Sequence, residues 1–147
     1  DWFEGEWARD AFLEGKGRQT SKDGSVYEGE FGDGLRRGQG VMKYSNGDRY
    51  EGDFRMGRKE GKGKYVWANG DWFEGEWARD AFLEGKGRQT SKDGSVYEGE
   101  FGDGLRRGQG VMKYSNGDRY EGDFRMGRKE GKGKYVWANG DWFEGEW

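Results

Sequence analysis

Three kinds of spacing in this chain could carry chemistry. Carboxylates stand two apart at Glu4/Glu6 and Glu28/Glu30, and hydrolases use paired carboxylates as acid and base or nucleophile. Gly-x-Gly runs at Gly15/Gly17, Gly38/Gly40 and Gly61/Gly63 have the composition of a phosphate cradle. The acidic stretch 45–53, SNGDRYEGD, has the composition of a calcium loop. Context removes each of them. The carboxylate pairs recur in every repeated unit with Lys or Arg expected opposite, which describes a solvated ion-pair ladder and no pocket. No third glycine follows the Gly-x-Gly runs at the required spacing, and no helix starts there. The acidic stretch lacks the twelve-residue ligand spacing. His and Cys are both absent, so the usual general base, the commonest metal ligand and thiolate chemistry are missing. The reading is no enzyme, no metal and no cofactor.

What remains is binding. Arg36, Arg37, Arg58 and Lys59 form a basic cluster, repeated as Arg106, Arg107, Arg128 and Lys129. Read as loop residues near one edge, they could face anionic lipid or acidic partners. Nucleic acid is not expected: 26 basic residues against 29 acidic ones give a net charge of −3, and that partner calls for a basic field. Apolar residues are only 31% of the chain, more than half of them aromatic, beside 31 glycines and no proline. An ordinary aliphatic core is therefore excluded, and whatever core exists is built from rings. No apolar run approaches the roughly 20 residues of a membrane-spanning helix. The reading is a soluble module, cytoplasmic if natural, with no compartment encoded in it.

Internal repetition sets the architecture. Residues 1–70 recur unchanged as 71–140, and DWFEGEW occurs at 1–7, 71–77 and 141–147. Within each copy a shorter unit starts at Phe3, Tyr27 and Tyr50, then at Phe73, Tyr97 and Tyr120, with a terminal half unit from Phe143. The whole of 1–147 is read as one repeat domain. Short alternating runs such as SVYEGEF, GQGVMKY and GKGKYVW are bounded by Asp-Gly or Asn-Gly, the strongest short-range hairpin signals. No segment carries a helical apolar stripe.

Charge and ring matching choose the register. A three-residue loop Ala68-Asn69-Gly70, with Gly70 left-handed as a G1 bulge requires, pairs Trp67 with Asp71 and Tyr65 with Phe73. It also pairs Lys64 with Glu74 and Gly63 with Gly75. The same loop at Lys22-Asp23-Gly24 pairs Arg18 with Glu28 and Lys16 with Glu30. A two-residue turn would set Lys64 against glycine instead.

Two faces follow. One aligns Gly17, Gly29, Gly40, Gly52, Gly63 and Gly75 as a strip across the strands, with rings able to lie over it. Its walls make a candidate groove for a peptide or helix. In the first copy these are Phe3, Trp7, Tyr27, Phe31, Met42, Tyr50, Phe54 and Tyr65. In the second they are Phe73, Trp77, Tyr97, Phe101, Tyr120 and Phe124. The competing reading is that the rings pack on the glycines as the only core available. The opposite face carries Glu4, Glu6, Lys16, Arg18, Glu28, Glu30, Lys62 and Lys64 and is expected in water.

The units resemble the MORN (membrane occupation and recognition nexus) repeat. YEGEFGDGLRRGQGVMKYSNG (27–47) and YEGDFRMGRKEGKGKYVWANG (50–70) match that pattern along their length. FEGEWARDAFLEGKGRQTSKDG (3–24) departs in its loop, with one extra residue and Ala11 read where the others have Gly34 and Gly57. The resemblance implies an all-β, open, single-layer antiparallel meander of hairpins, elongated and twisted. It also implies an interaction or tethering module, with protein, peptide or phospholipid partners. The resulting reading is a non-enzymatic scaffold with an aromatic/glycine groove; the alternative is a peripheral module for anionic phospholipids. Identity that extends to loop positions such as Gln19/Gln89 reads as a synthetic or consensus-built array, with recent natural duplication as the alternative. Identical first and last strands predict end-to-end self-association or swapping.

Overall fold

The computed structural model describes residues 2–8 and 11–147, with side chains for all of these except 6–8 and 11–13. The described residues contain no helix and thirteen strands, which form one open antiparallel sheet in sequence order. The strands are β1 (Trp2–Ala8), β2 (Ala11–Thr20), β3 (Val26–Gly32), β4 (Leu35–Lys43), β5 (Arg49–Arg55), β6 (Arg58–Val66) and β7 (Trp72–Ala78). They continue as β8 (Ala81–Thr90), β9 (Val96–Gly102), β10 (Leu105–Lys113), β11 (Arg119–Arg125), β12 (Arg128–Val136) and β13 (Trp142–Glu146). The chain packs as two compact units, 1–70 with 74–82 and 71–73 with 83–147.

The expected register is the observed one. Arg18 lies opposite Glu28 and Lys16 opposite Glu30. In the second copy Tyr135 faces Phe143, Lys134 faces Glu144 and Gly133 faces Gly145. The three-residue turn is what sets it. Tyr44 N–H donates to the Asp48 carbonyl at 2.9 Å and Trp137 N–H to that of Asp141 at 2.8 Å. Gly47 and Gly140 close these turns at φ 96° and 94°, a conformation costly for any side chain with a Cβ. The glycine strip follows: Gly17 pairs Gly29, Gly29 pairs Gly40, Gly40 pairs Gly52 and Gly52 pairs Gly63. The second unit repeats it from Gly87 to Gly145.

The other edge differs from expectation. The segment read as a loop is a two-residue turn followed directly by strand. Asp33-Gly34, Met56-Gly57, Asp103-Gly104 and Met126-Gly127 all have both residues at positive φ, the geometry that matches the twist of a hairpin. The basic residues Arg36, Arg37, Arg58 and Lys59, and their second-copy equivalents, therefore belong to strands β4, β6, β10 and β12. In the divergent unit the second turn position is taken by Asp80, at φ 70°, with Ala81 already in β8. That corrects the alignment on Ala11, whose own side chain lies outside the described residues.

Shortening the loop leaves residues to spare, and they enter the strand as a bulge. Gly29 pairs Gly40 and Phe31 pairs Arg36, so Glu30 alone faces residues 37–39. Gly38 takes φ 60° there, and the Glu30 carboxylate accepts the freed Gln39 N–H at 2.6 Å. Asp53 serves the Lys62 N–H in the next hairpin, and Glu100 and Asp123 repeat both contacts. The first glycine of each such Gly-x-Gly thus makes the bulge and the second joins the strip.

Candidate functional site

The strip is a seat for rings. The Tyr50 ring lies directly over Gly63 and the Tyr27 ring over Gly40, in space that even a methyl group would need. Each tyrosine spans outward along its own strand, and its hydroxyl donates to the carbonyl three residues on. Tyr27 donates to Glu30 at 2.7 Å and Tyr50 to Asp53 at 3.0 Å. Rings then alternate edge-to-face across the strands. Phe31, Tyr27, Phe54, Tyr50 and Trp77 follow one another with centroids 5.0, 5.0, 5.1 and 5.5 Å apart. Phe101, Tyr97, Phe124, Tyr120 and Trp147 repeat the series at 5.0, 4.8, 5.3 and 5.0 Å. Such pairs contribute about 0.5–1.5 kcal/mol each beyond the area they bury. Burial pushes the Tyr97 phenol up to about 12 and raises those of Tyr27 and Tyr50 as well.

Most of the expected groove wall is therefore core. Tyr27, Phe31, Met42, Tyr50, Phe54, Trp77, Tyr97, Phe101, Tyr120 and Phe124 are all at most 5% exposed. Phe3, Tyr65 and Phe73 are half-buried, and the Trp7 side chain lies outside the described residues.

The basic cluster splits in two, because neighbouring residues of a strand point to opposite faces. Arg36 lies 5.7 Å over the Tyr27 ring and Arg106 5.4 Å over Tyr97. Lys59 sits among four rings, 5.5–5.8 Å from Tyr44, Tyr50, Tyr65 and Trp77, and 3.4 Å from the Asp80 carboxylate. Lys129 lies 5.1–5.7 Å from Tyr114, Tyr120 and Tyr135. These four roof the aromatic layer. Their neighbours Arg37, Arg58, Arg107 and Arg128 are exposed. So are Leu35, Met56, Leu105 and Met126, at or beside the two-residue turns, and Leu83 within β8. That edge is a rim of apolar tips among arginines.

Open concavity lies on the charged face. A trough of about 880 Å³ in the first copy is walled by Lys16, Arg18, Glu28 and Arg49 and floored by Val26 and Val41 beside Trp2. The equivalent residues, from Trp72 to Glu121, enclose about 780 Å³ in the second copy. The valines and the tryptophan were legible as strand residues facing the charged side, but charge dominated the reading of that face.

A further set of residues went unread. The residue after a turn glycine can receive an N–H at, or just before, the next turn of the same type. Asp48 accepts the Ala68 N–H at 2.9 Å and the Tyr65 hydroxyl at 2.7 Å. Asp71 accepts Thr90 N–H and hydroxyl, and Ser25 accepts Ser45 N–H at 3.2 Å. Burial opposes ionisation of Asp48, but the Tyr65, Ala68 and Asn46 hydrogen bonds outweigh it and hold its carboxyl below the ordinary range. Among the described residues no group of His, Cys, Asp or Glu could hold a metal ion.

The family model of the MORN repeat matches six times in succession, at 3–26, 27–49, 50–72, 73–96, 97–119 and 120–142. The chain belongs to the MORN-repeat family. The starts of the matched MORN repeats coincide with the aromatic-Glu-Gly positions that begin each unit. Among solved structures this MORN array is similar to the SAS-4 (dCPAP) TCP domain, in complex with a proline-rich motif of Ana2 (dSTIL), of Drosophila melanogaster. The identity is 21%, covering 88% of this chain and 77% of that one, with a TM-score of 0.39. No curated protein matches the chain.

Proposed function

We propose that this MORN array is a non-enzymatic interaction scaffold that holds an extended peptide of mixed charge along its charged face. The observation that carries the reading is the repetition of one trough in both copies, valine-floored, tryptophan-flanked and lined by cations and carboxylates. The aromatic face is spent on packing, so a peptide or helix there would engage Phe3, Tyr65 and Phe73, the wall residues that keep accessible surface. A half-buried aliphatic floor between charges fits a strand that alternates apolar and ionised residues. Titration with a peptide of alternating Lys, Val and Glu, followed by amide chemical shifts, tests it. Shifts at Val41 and Val111, lost on Val41→Asp/Val111→Asp, are expected. Shifts confined to Tyr65 and Phe73 would move the site to the aromatic face, and no shifts at all would remove the reading.

A second reading rests on the rim. Exposed Leu35, Met56, Leu105 and Met126 beside outward Arg37, Arg58, Arg107 and Arg128 suit an anionic lipid surface, with apolar tips entering it and guanidinium groups on headgroup phosphates. Flotation with phosphoinositide vesicles separates the two. Rim binding is salt-sensitive and is lost on Met56→Glu/Met126→Glu. Identity at exposed positions such as Lys22/Lys92 supports a consensus-built origin for the array.

A further inference from the structure

Three strands of this chain have one sequence and different surroundings. β7 stands between β6 and β8, and its Trp77 is 5% exposed, closed in by Tyr50 on one side and Phe82 on the other. β13 carries the same residues but is paired only with β12. Its Trp142 and Phe143 are 61% and 52% exposed, and Trp147, directly after it, is 39% exposed. β1 is paired only with β2, which has the sequence of β8. Each of the two outer strands is thus one half of the setting that β7 enjoys whole.

We propose that this 147-residue chain binds a second copy of itself by strand exchange, β13 of one molecule replacing β1 of the next on β2. The register is given by the pairing already present. Phe143 falls opposite Gly17 and Glu144 opposite Lys16, as Phe3 and Glu4 do within one chain. Phe143 then meets the ring setting that Phe73 finds at Gly87 and Phe101. The β1 interface is exchanged for one of the same sequence from Trp2 to Trp7, while the exposed rings of 142–147 gain their second neighbour. The contact joins unlike ends, so it does not close on itself and propagates as an open chain rather than a dimer.

The chain has no cysteine, which makes the register testable by cross-linking. In Lys16→Cys/Glu144→Cys the thiols face each other only between molecules. Mild oxidation should give a ladder of disulfide-linked species at multiples of the 16.9 kDa chain. Glu4→Cys/Lys16→Cys should close within one chain and show that the pair geometry can bridge. A Lys16→Cys/Glu144→Cys sample that stays monomeric while that control closes would overturn exchange. So would an equally strong ladder from Lys16→Cys/Asn139→Cys, which places the second thiol in the exposed turn. Sedimentation of the cysteine-free chain should show mass rising with concentration, and Phe143→Ala/Trp147→Ala should suppress the rise.

Discussion

Residues 71–77 and 141–147 are the same seven amino acids, yet they live in different environments. Trp77 is 5% exposed and Trp147 39%, although both pack edge-to-face on a tyrosine of the preceding hairpin. The difference is the hairpin that follows. Phe82 closes over Trp77, and the Trp77 indole donates to the Gly63 carbonyl at 3.0 Å. Burial in this sheet is thus supplied by neighbours in series, and stability is a sum of unit and interface contributions. A strand here has no core of its own.

The sharpest way to break the comparison is to truncate the two rings. Trp77→Ala should cost about 3–5 kcal/mol, the range for a buried aromatic. Trp147→Ala should cost about 1–2 kcal/mol, in proportion to the smaller area it covers. Denaturation followed by amide hydrogen exchange in β6 and β12 reads both, and equal costs would refute the neighbour account. Glycine gives the next contrast. At Gly63 an added methyl runs into the seated Tyr50 ring, whereas at Gly145 it meets only the exposed Phe143 ring at 3.0 Å. Gly63→Ala should cost about 1–3 kcal/mol through overpacking, and Gly145→Ala a few tenths at most, measured as the shift in thermal midpoint.

The expected register, the glycine strip and the two faces were legible because charge pairing and turn chemistry agreed on one alignment. Lys64 against Glu74 and Gly70 in the left-handed position said the same thing. The filling of the groove was not legible, because strand alternation says which rings share a face and not how deeply they interdigitate. The division of Arg36 from Arg37, and of Arg58 from Lys59, was hidden by reading their segment as loop. Asp33-Gly34 is itself an Asp-Gly hairpin signal that was passed over within that loop, whereas at Met56-Gly57 a Met at positive φ is not a choice that turn preferences suggest. Ser25 and Asp71 read as strand residues and Asp48 as part of the acidic stretch 45–53. Their work is long-range, and nothing in their own sequence neighbourhood names the amide they receive.

That work sharpens the comparison further. Asp48 accepts from the following turn, while Asp141 is held by Asn139 of its own turn, through side-chain and backbone bonds. Asp48→Ala should cost about 1.5–3 kcal/mol, the range for hydrogen bonds to a charged group, and Asp141→Ala distinctly less by the same thermal assay. The smallest effects are those of pH. Tyr135 and Ala138 hydrogen bonds hold the Asp118 carboxyl below its ordinary 3.8. A lowered folded value contributes stability that is complete above the unfolded one and lost as pH falls through the folded one. The thermal midpoint should therefore stay level down to about pH 4 and drop below it, less steeply in Asp118→Asn. Tyr97 has the opposite sense. Its stabilisation is complete below the unfolded value near 10 and fades as pH rises toward about 12, so Tyr97→Phe should flatten the alkaline limb.

Surface turns are ordinarily where a chain accepts inserted residues at little cost. The three-residue turns here are poor sites for that. Lengthening Ser45-Asn46-Gly47 would pull Ser45 N–H from Ser25 and disturb the Asp48 carboxylate that receives Ala68. The two-residue turns are tied as well: Gly57 N–H donates to the Arg36 carbonyl and Gly127 N–H to that of Arg106, both at 3.0 Å, and Asp103 N–H to that of Leu83 at 2.6 Å. Both margins are thus laced to the preceding hairpin, and an inserted residue on either would cut a bond between neighbours.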